Sequence, residues 1–356
     1  MQLIIKKLLI IIITIISLEF NRSIVFAQKE NTFEDFGLIS IMYHRFNENK
    51  YPSTNIQVEV FKEQLNIIEK EGIKFINPKD FEKNITHNKK TRKILMTIDD
   101  GLLSFYKNAW PILKEREIPF ILFVNTREVG SFNYMNWDQI RELNESNFVE
   151  IGNHSHSHEY LVEESSEIIE MDILTSIKIF KEKLGRNSEF FSYPFGEYSL
   201  EFKNIIKKLG FKYAFGQHSG VIDQTKDLWE LPRFPINEKY GNLKRFQTLM
   251  KTLPFKYISI EPENRYLIQS ENPPEVKIVF KEKIKNLEQI NCFSNEGDKW
   301  RNSNISFTER NVLIIKIAEK FIGERGRINC SLRENNGFWR WLGTVSYTHL
   351  TLPTKA

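Results

Sequence analysis

Between residues 36 and 215 short apolar runs alternate with stretches of helical spacing, and a chain patterned this way has few folds open to it. The strand-like runs are 38–43 (LISIMY), 74–76, 93–98 (KILMTI), 119–124, 148–151, 189–192 and 212–215. Between them, helical patterns occupy 58–71, 102–116, 136–143, 166–184 and 200–209. In 58–71 the apolar Val60, Phe61, Leu65, Ile67 and Ile68 recur at mostly helical spacing, and Gly72 ends the run. Repeated strand–helix units predict parallel strands with helices outside them, so the class is α/β, as a barrel or a doubly wound sheet. After about residue 250 the texture changes. Strand-like segments 257–260, 275–280, 304–307 and 311–318 are separated by turn formers such as Asn272-Pro273-Pro274, and no long helical pattern follows. These shifts divide the chain into a leader (1–27), an α/β domain (28–245), a small β-rich domain (246–344) and a tail (345–356).

The unusual polar residues fall just after strand candidates. His44 follows LISIMY, Asp99-Asp100-Gly101 follows KILMTI, and Asn153-His154-Ser155-His156-Ser157-His158 follows FVEI. Pro194-Phe195-Gly196 follows EFFSY. In parallel α/β folds the C-terminal ends of the strands form the site, so four segments would deliver their polar groups to one rim. Two adjacent carboxylates repel unless a cation or proton compensates, and Gly101 permits a sharp turn toward one cavity. Taken alone, Asp-Asp-Gly is equally a turn or a helix cap. His154 and His158, at i and i+4, can share one face of a helical turn and chelate one ion. Two imidazoles and one carboxylate leave a coordination position for water, as catalytic zinc requires. His156, between them, either points elsewhere or competes as a ligand.

Together MTIDDG, GNHSHSH and YPFG resemble the polysaccharide deacetylases of carbohydrate esterase family 4. Within that family they are most similar to the branch acting on poly-β-1,6-linked N-acetylglucosamine of biofilm matrix. The resemblance covers roughly residues 36 to 240. It implies a distorted (β/α) barrel and metal-dependent removal of N-acetyl groups with release of acetate. Carried over by motif, it implies that Asp100, His154 and His158 bind Zn2+ or another divalent transition metal. Asp99 would be the general base, the backbone N–H of Phe195 would stabilise the oxyanion, and His44 would donate the proton to the departing amine. His218 is the alternative donor. The family's third motif often begins with an Arg that steers the base. Here that position is Ser192, and Arg233 is the candidate to supply the guanidinium to Asp99. Ile98 stands where Phe is commoner. Trp137, Tyr193 and Phe195 near the motifs, and Trp300, Trp339 and Trp341 in the β region, are candidate rings for stacking on sugars. His87 reads as solvated.

The alternatives kept beside this reading are a peptidoglycan or chitin-type deacetylase and a non-catalytic glycan-binding protein of the cell envelope. The formal charge of +4, from 50 basic and 46 acidic side chains in a mixed pattern, offers no basic stripe for nucleic acid. Lys6, Lys7, the apolar run from Leu8 to Leu18 and Val25-Phe26-Ala27 follow the pattern of a secretory signal. That run is short of the roughly 20 residues a membrane span needs, so an exported protein is expected, periplasmic, envelope-associated or extracellular, with peripheral membrane association left open. Cys292 and Cys330 read either as one disulfide or as two buried thiols. The final VSYTHLTLPTKA resembles a translated sequencing-library adapter and is set aside as a non-native tail, so His349 receives no role. Oligomeric state is not legible in the sequence.

Overall fold

A computed structural model describes residues 36–86, 90–297 and 299–348, and these belong to one compact unit. The leader, residues 28–35, His87 and the tail from residue 349 lie outside the described residues.

A nine-stranded sheet carries the first domain. Its main path runs Val221–Ile222, Leu38–Tyr43, Lys93–Ile98, Phe120–Val124, Val149–Asn153, Phe190–Ser192, Tyr213–Phe215. All neighbours on this path are parallel except the first pair. The central strands are buried along nearly their whole length, as expected of parallel strands covered on both faces. The sheet curls, and the segment 231–235 spans its two edges. Leu231 bridges Phe215, and Phe234–Pro235 pairs with Leu38–Tyr43. The fold is therefore the distorted barrel rather than a doubly wound open sheet.

Most predicted elements form within a residue or two of their expected ends. The helix expected over 102–116 is instead two, Leu103–Asn108 and Trp110–Glu115, meeting at Ala109. Pro111 is the cause, since it has no N–H to donate and its ring crowds the preceding turn. The helix Ser166–Leu184 ends at Gly185, whose φ of 73° is the left-handed conformation that Gly adopts without strain.

The C-terminal region is β-rich, as expected, and forms two sheets. One is six-stranded, with Arg325–Arg333 and Trp339–Thr348 as its longest antiparallel pair. The other is four-stranded and contains Glu275–Phe280 and Val312–Lys316. Between them Ile278, Phe280, Leu313, Ile315, Ile328 and Leu332 make a separate apolar core. Cys292 and Cys330 face each other in register and form a disulfide. The strand Trp339–Thr348 includes residues 345–348 of the segment set aside as a tail, and Tyr347 there is buried with its hydroxyl donating to Gly196 O at 2.5 Å. This strand also lies against the barrel, where Leu342 bridges Gly220. A Cβ on Gly343 would stand 2.5 Å from Ser219 O, so only Gly allows so close an approach.

Candidate active site

Asp99 continues the ladder of its strand, its N–H donating to Tyr43 O at 2.9 Å, and the chain then turns sharply. Asp100 and Gly101 both take left-handed backbone angles, φ 78° and 70°. For Asp100 this is a conformation few non-glycine residues adopt, and it separates the two adjacent carboxylates. Asp99 turns into the barrel and Asp100 toward the rim, so their repulsion is relieved by giving each its own counter-charge.

Asp100 Oδ1 lies 3.4 Å from His154 Nε2 and 3.4 Å from His158 Nε2. Burial alone would raise the Asp100 carboxyl, but the facing His154 imidazole, with the charges of His44 and His158, holds it far below the usual range. The two imidazoles do not meet on one face of a helical turn. Residues 154–160 form an irregular loop in which Ser155 and His158 have φ 69° and 56°. Asp172, on the helix Ser166–Leu184, holds this loop by accepting from the backbone N–H of His156 at 2.8 Å and of Ser157 at 3.0 Å. Asn153 Oδ1 accepts from Ser155 N–H, and Ser155 Oγ from His158 N–H. Nothing in the helical spacing marked Asp172, because its function depends on which loop packs over it. His156 points elsewhere, its Nδ1 2.9 Å from Thr126 Oγ1.

His154 Nδ1 lies 2.6 Å from Ser192 O, and a carbonyl can only accept, so Nδ1 carries the proton and Nε2 is left to face Asp100. The carboxylate oxygen and the two imidazole nitrogens all lie within 4.8 Å of one another. One anionic oxygen and two nitrogens, one with its tautomer fixed by an outer carbonyl, suit a divalent ion of the zinc type. The three residues are thus a potential metal site.

Asp99 and Arg233 form a second, wholly buried group. Arg233 Nη1 donates to Asp99 Oδ1 at 2.7 Å and Nη2 to Oδ2 at 2.9 Å. The remaining N–H groups reach Thr97 Oγ1, Ser192 Oγ and Gly216 O, so all five donors have acceptors. The guanidinium also lies between the rings of Phe123 and Phe215, at 5.5 and 5.7 Å. Burial would raise the Asp99 carboxyl, but Arg233, with His154 and His44, outweighs it and keeps the group ionised. Ser192, at the position where the family often has Arg, donates to Asp99 Oδ2 at 3.3 Å.

His44, Asp100, His158, Phe195 and His218 line one cleft of ≈ 750 Å³. His218 is buried, and burial lowers its pKa to about 4. Phe195 has φ 57°, and its ring stacks on Tyr160 at 4.1 Å with the planes 3° apart. Of the other candidate rings, Trp300 and Trp341 line the cleft. Tyr193 does not: it is buried, with its hydroxyl donating to Trp229 O. Trp137 packs on Phe180, and Trp339 sits beside Arg333.

Residues 86–214 match the model of the family described as Polysaccharide deacetylase. Over those residues the chain is similar to the polysaccharide deacetylases, and its relatives support a polysaccharide N-deacetylase enzyme. It is 24% identical over 218 residues to the poly-beta-1,6-N-acetyl-D-glucosamine N-deacetylase of Staphylococcus aureus strain MSSA476, covering 56% of this chain and 74% of the relative. The enzyme of the same name from Staphylococcus epidermidis is 25% identical over 239 residues, covering 63% and 79%. Among solved structures, IcaB from Ammonifex degensii superposes with a TM-score of 0.56 at 25% identity, covering 61% of this chain and 98% of that one.

Proposed function

We propose that this enzyme removes N-acetyl groups from poly-β-1,6-N-acetylglucosamine with the help of a divalent cation, releasing acetate. The observation that carries the reading is the division of two neighbouring carboxylates, Asp100 to a pair of imidazoles and Asp99 to a guanidinium. The names of the staphylococcal relatives support the polymer. Asp100, His154 and His158 would hold the cation, which when bound would polarise an acetyl carbonyl and acidify a water. Asp99 takes the proton from the attacking water, and Arg233 fixes its orientation and its charge. The Phe195 N–H, in the left-handed turn at the cleft, donates to the oxyanion. His44 gives a proton to the departing amine. His218, the other imidazole in the cleft, is held neutral at pH 7 by burial, which favours His44.

A purely glycan-binding protein would have no use for a second ionised carboxylate locked beside the first, and this weighs against the non-catalytic alternative. Export is part of the proposal. The apolar segment after Lys6 and Lys7 supports it, as does the disulfide, a bond favoured by oxidising compartments. Among the described residues no helix is long and apolar enough to cross a membrane.

The test is acetate release from poly-β-1,6-N-acetylglucosamine, chitin oligomers and peptidoglycan, each with and without a chelator. Asp99→Asn is expected to bind metal yet lose turnover, and His154→Ala to lose both. Turnover by Asp99→Asn, or chelator-resistant activity, would refute the mechanism, and a preference for chitin or peptidoglycan would refute the polymer.

A further inference from the structure

The cleft has a wall that the barrel does not supply. In the strand Arg325–Arg333 burial alternates with the period of two expected of a β-strand. Ile328, Cys330 and Leu332 enter the core of the β region, while Arg325, Arg327 and Asn329 line the cleft that also holds Asp100 and His158. Arg245, from the helix Leu243–Leu249 of the barrel side, lines the same cleft. Arg325 is paired with Glu197, its Nε 2.5 Å from Oε1. Arg327 and Arg245 form no ion pair among the described residues. Glu197, whose charge acts on Arg327, is already committed to Arg325, and Arg245 is bonded to the backbone oxygen of Tyr240 and lies over its ring at 5.2 Å. Both guanidiniums are half-buried, and burial pulls both below the usual arginine range. A partly desolvated cation without a counter-ion costs free energy, and an arginine presents a planar fork suited to carboxylate or phosphate oxygens. Trp300 adds an exposed ring to the same wall.

We propose that Arg327 and Arg245 form a subsite for an anionic group, a carboxylate or a phosphate, carried by the glycan that enters the cleft. The substrate is then an acidic form of the N-acetylated polymer. A deacetylated stretch, bearing ammonium groups, is disfavoured at this wall by like-charge repulsion. The proposal rests on the deacetylase reading only in taking the ligand to be a glycan.

The experiment uses the purified full chain and β-1,6-linked N-acetylglucosamine oligomers of matched length in three series: neutral, carboxylate-bearing and phosphate-bearing. Acetate release at low salt is expected to show a KM about tenfold lower for at least one anionic series, the gap closing as salt screens the pair. Which series gains identifies the group. Arg327→Gln and Arg245→Gln should each narrow the gap, Arg327→Lys should retain part of it, and Arg310→Gln, at an exposed turn, should leave it intact. Equal KM across the series, or a gap that survives both glutamine substitutions, overturns the subsite. Calorimetric binding to Asp99→Asn protein separates the two readings. Arg327-dependent binding of anionic oligomers that the wild-type chain does not deacetylate sinks the assigned reaction and keeps the subsite. Deacetylation without anion preference does the reverse.

Discussion

Replacing Arg233 with Met keeps much of the apolar stem of the side chain and removes its charge and its five N–H donors. In the wild-type chain those donors satisfy both oxygens of Asp99 together with Thr97 Oγ1, Ser192 Oγ and Gly216 O. The pair is buried, so the loss is not made good by bulk solvent. Asp99 keeps only the Ser192 hydroxyl. Breaking a buried pair by removing one partner costs about 3–5 kcal/mol, because an uncompensated charge stays behind. In a domain of this size that corresponds to a Tm lower by roughly 10 °C. Removing the second charge as well, in Arg233→Met with Asp99→Leu, should recover most of the loss, since neither buried group is then unpaired. The assay is chemical denaturation of the wild type, both single variants and the double variant at pH 7, read as a double-mutant cycle. Acetate release is measured alongside, where Arg233→Met is expected to lose at least about 100-fold through misorientation of the base. A single variant as stable as wild type, or a double variant no more stable than Arg233→Met, would show that Arg233 does not hold Asp99 as argued.

Asp172→Ala removes the acceptor for two backbone N–H groups of the histidine loop without touching His154 or His158, and metal affinity is expected to fall about 10–100-fold, measured by competition with a chromogenic chelator. An unchanged affinity would make the loop self-supporting. Glu230 pairs with Lys203 and Arg265, which outweigh its burial and hold its pKa below the ordinary glutamate value. Its folded pKa being depressed, its contribution is full above the unfolded value of about 4.3 and is lost as pH falls through the folded one, so acid unfolding is where Glu230→Gln and wild type converge. If instead the two differ most at low pH and agree at pH 7, the network is not the source of that stability.

The barrel was legible because buried parallel strands leave continuous apolar runs, and Leu38–Tyr43 and Lys93–Ile98 fall where the pattern places them. The break at Ala109 was legible too, in Pro111, but is hidden when a long apolar periodicity is read as one helix. The metal-type cluster could be read from motif position, whereas its geometry could not. An i, i+4 pair suggests a helix, yet the imidazoles converge through a loop whose shape is set by Asp172, a residue supplied by the next helix. The long strands Arg325–Arg333 and Trp339–Thr348 have a weak sequence signal, because polar residues alternate along the first and the second passes into the segment set aside as a tail. Arg245 and Arg327 were invisible for the same reason as Asp172: their meaning lies in what does not pair with them, and that requires coordinates.

Arg233 shows how the two regions bear on one site. It rides on the segment 231–235, which spans the gap between Tyr213–Phe215 and Leu38–Tyr43 and has few ladder bonds of its own. What fixes that segment lies partly in the β region. Arg265 donates to Glu230 at 3.1 Å, three residues before Arg233, while Lys203 holds the same carboxylate from the barrel helix Leu200–Lys208. On the far side Leu342 bridges Gly220, just beyond His218, whose carbonyl accepts from Arg233 N–H. The guanidinium on the proposed base is therefore placed by contacts from both regions. The β region, on this argument, shapes the active site as well as walling the cleft, and loosening Arg265 from Glu230 should disturb Asp99 at a distance.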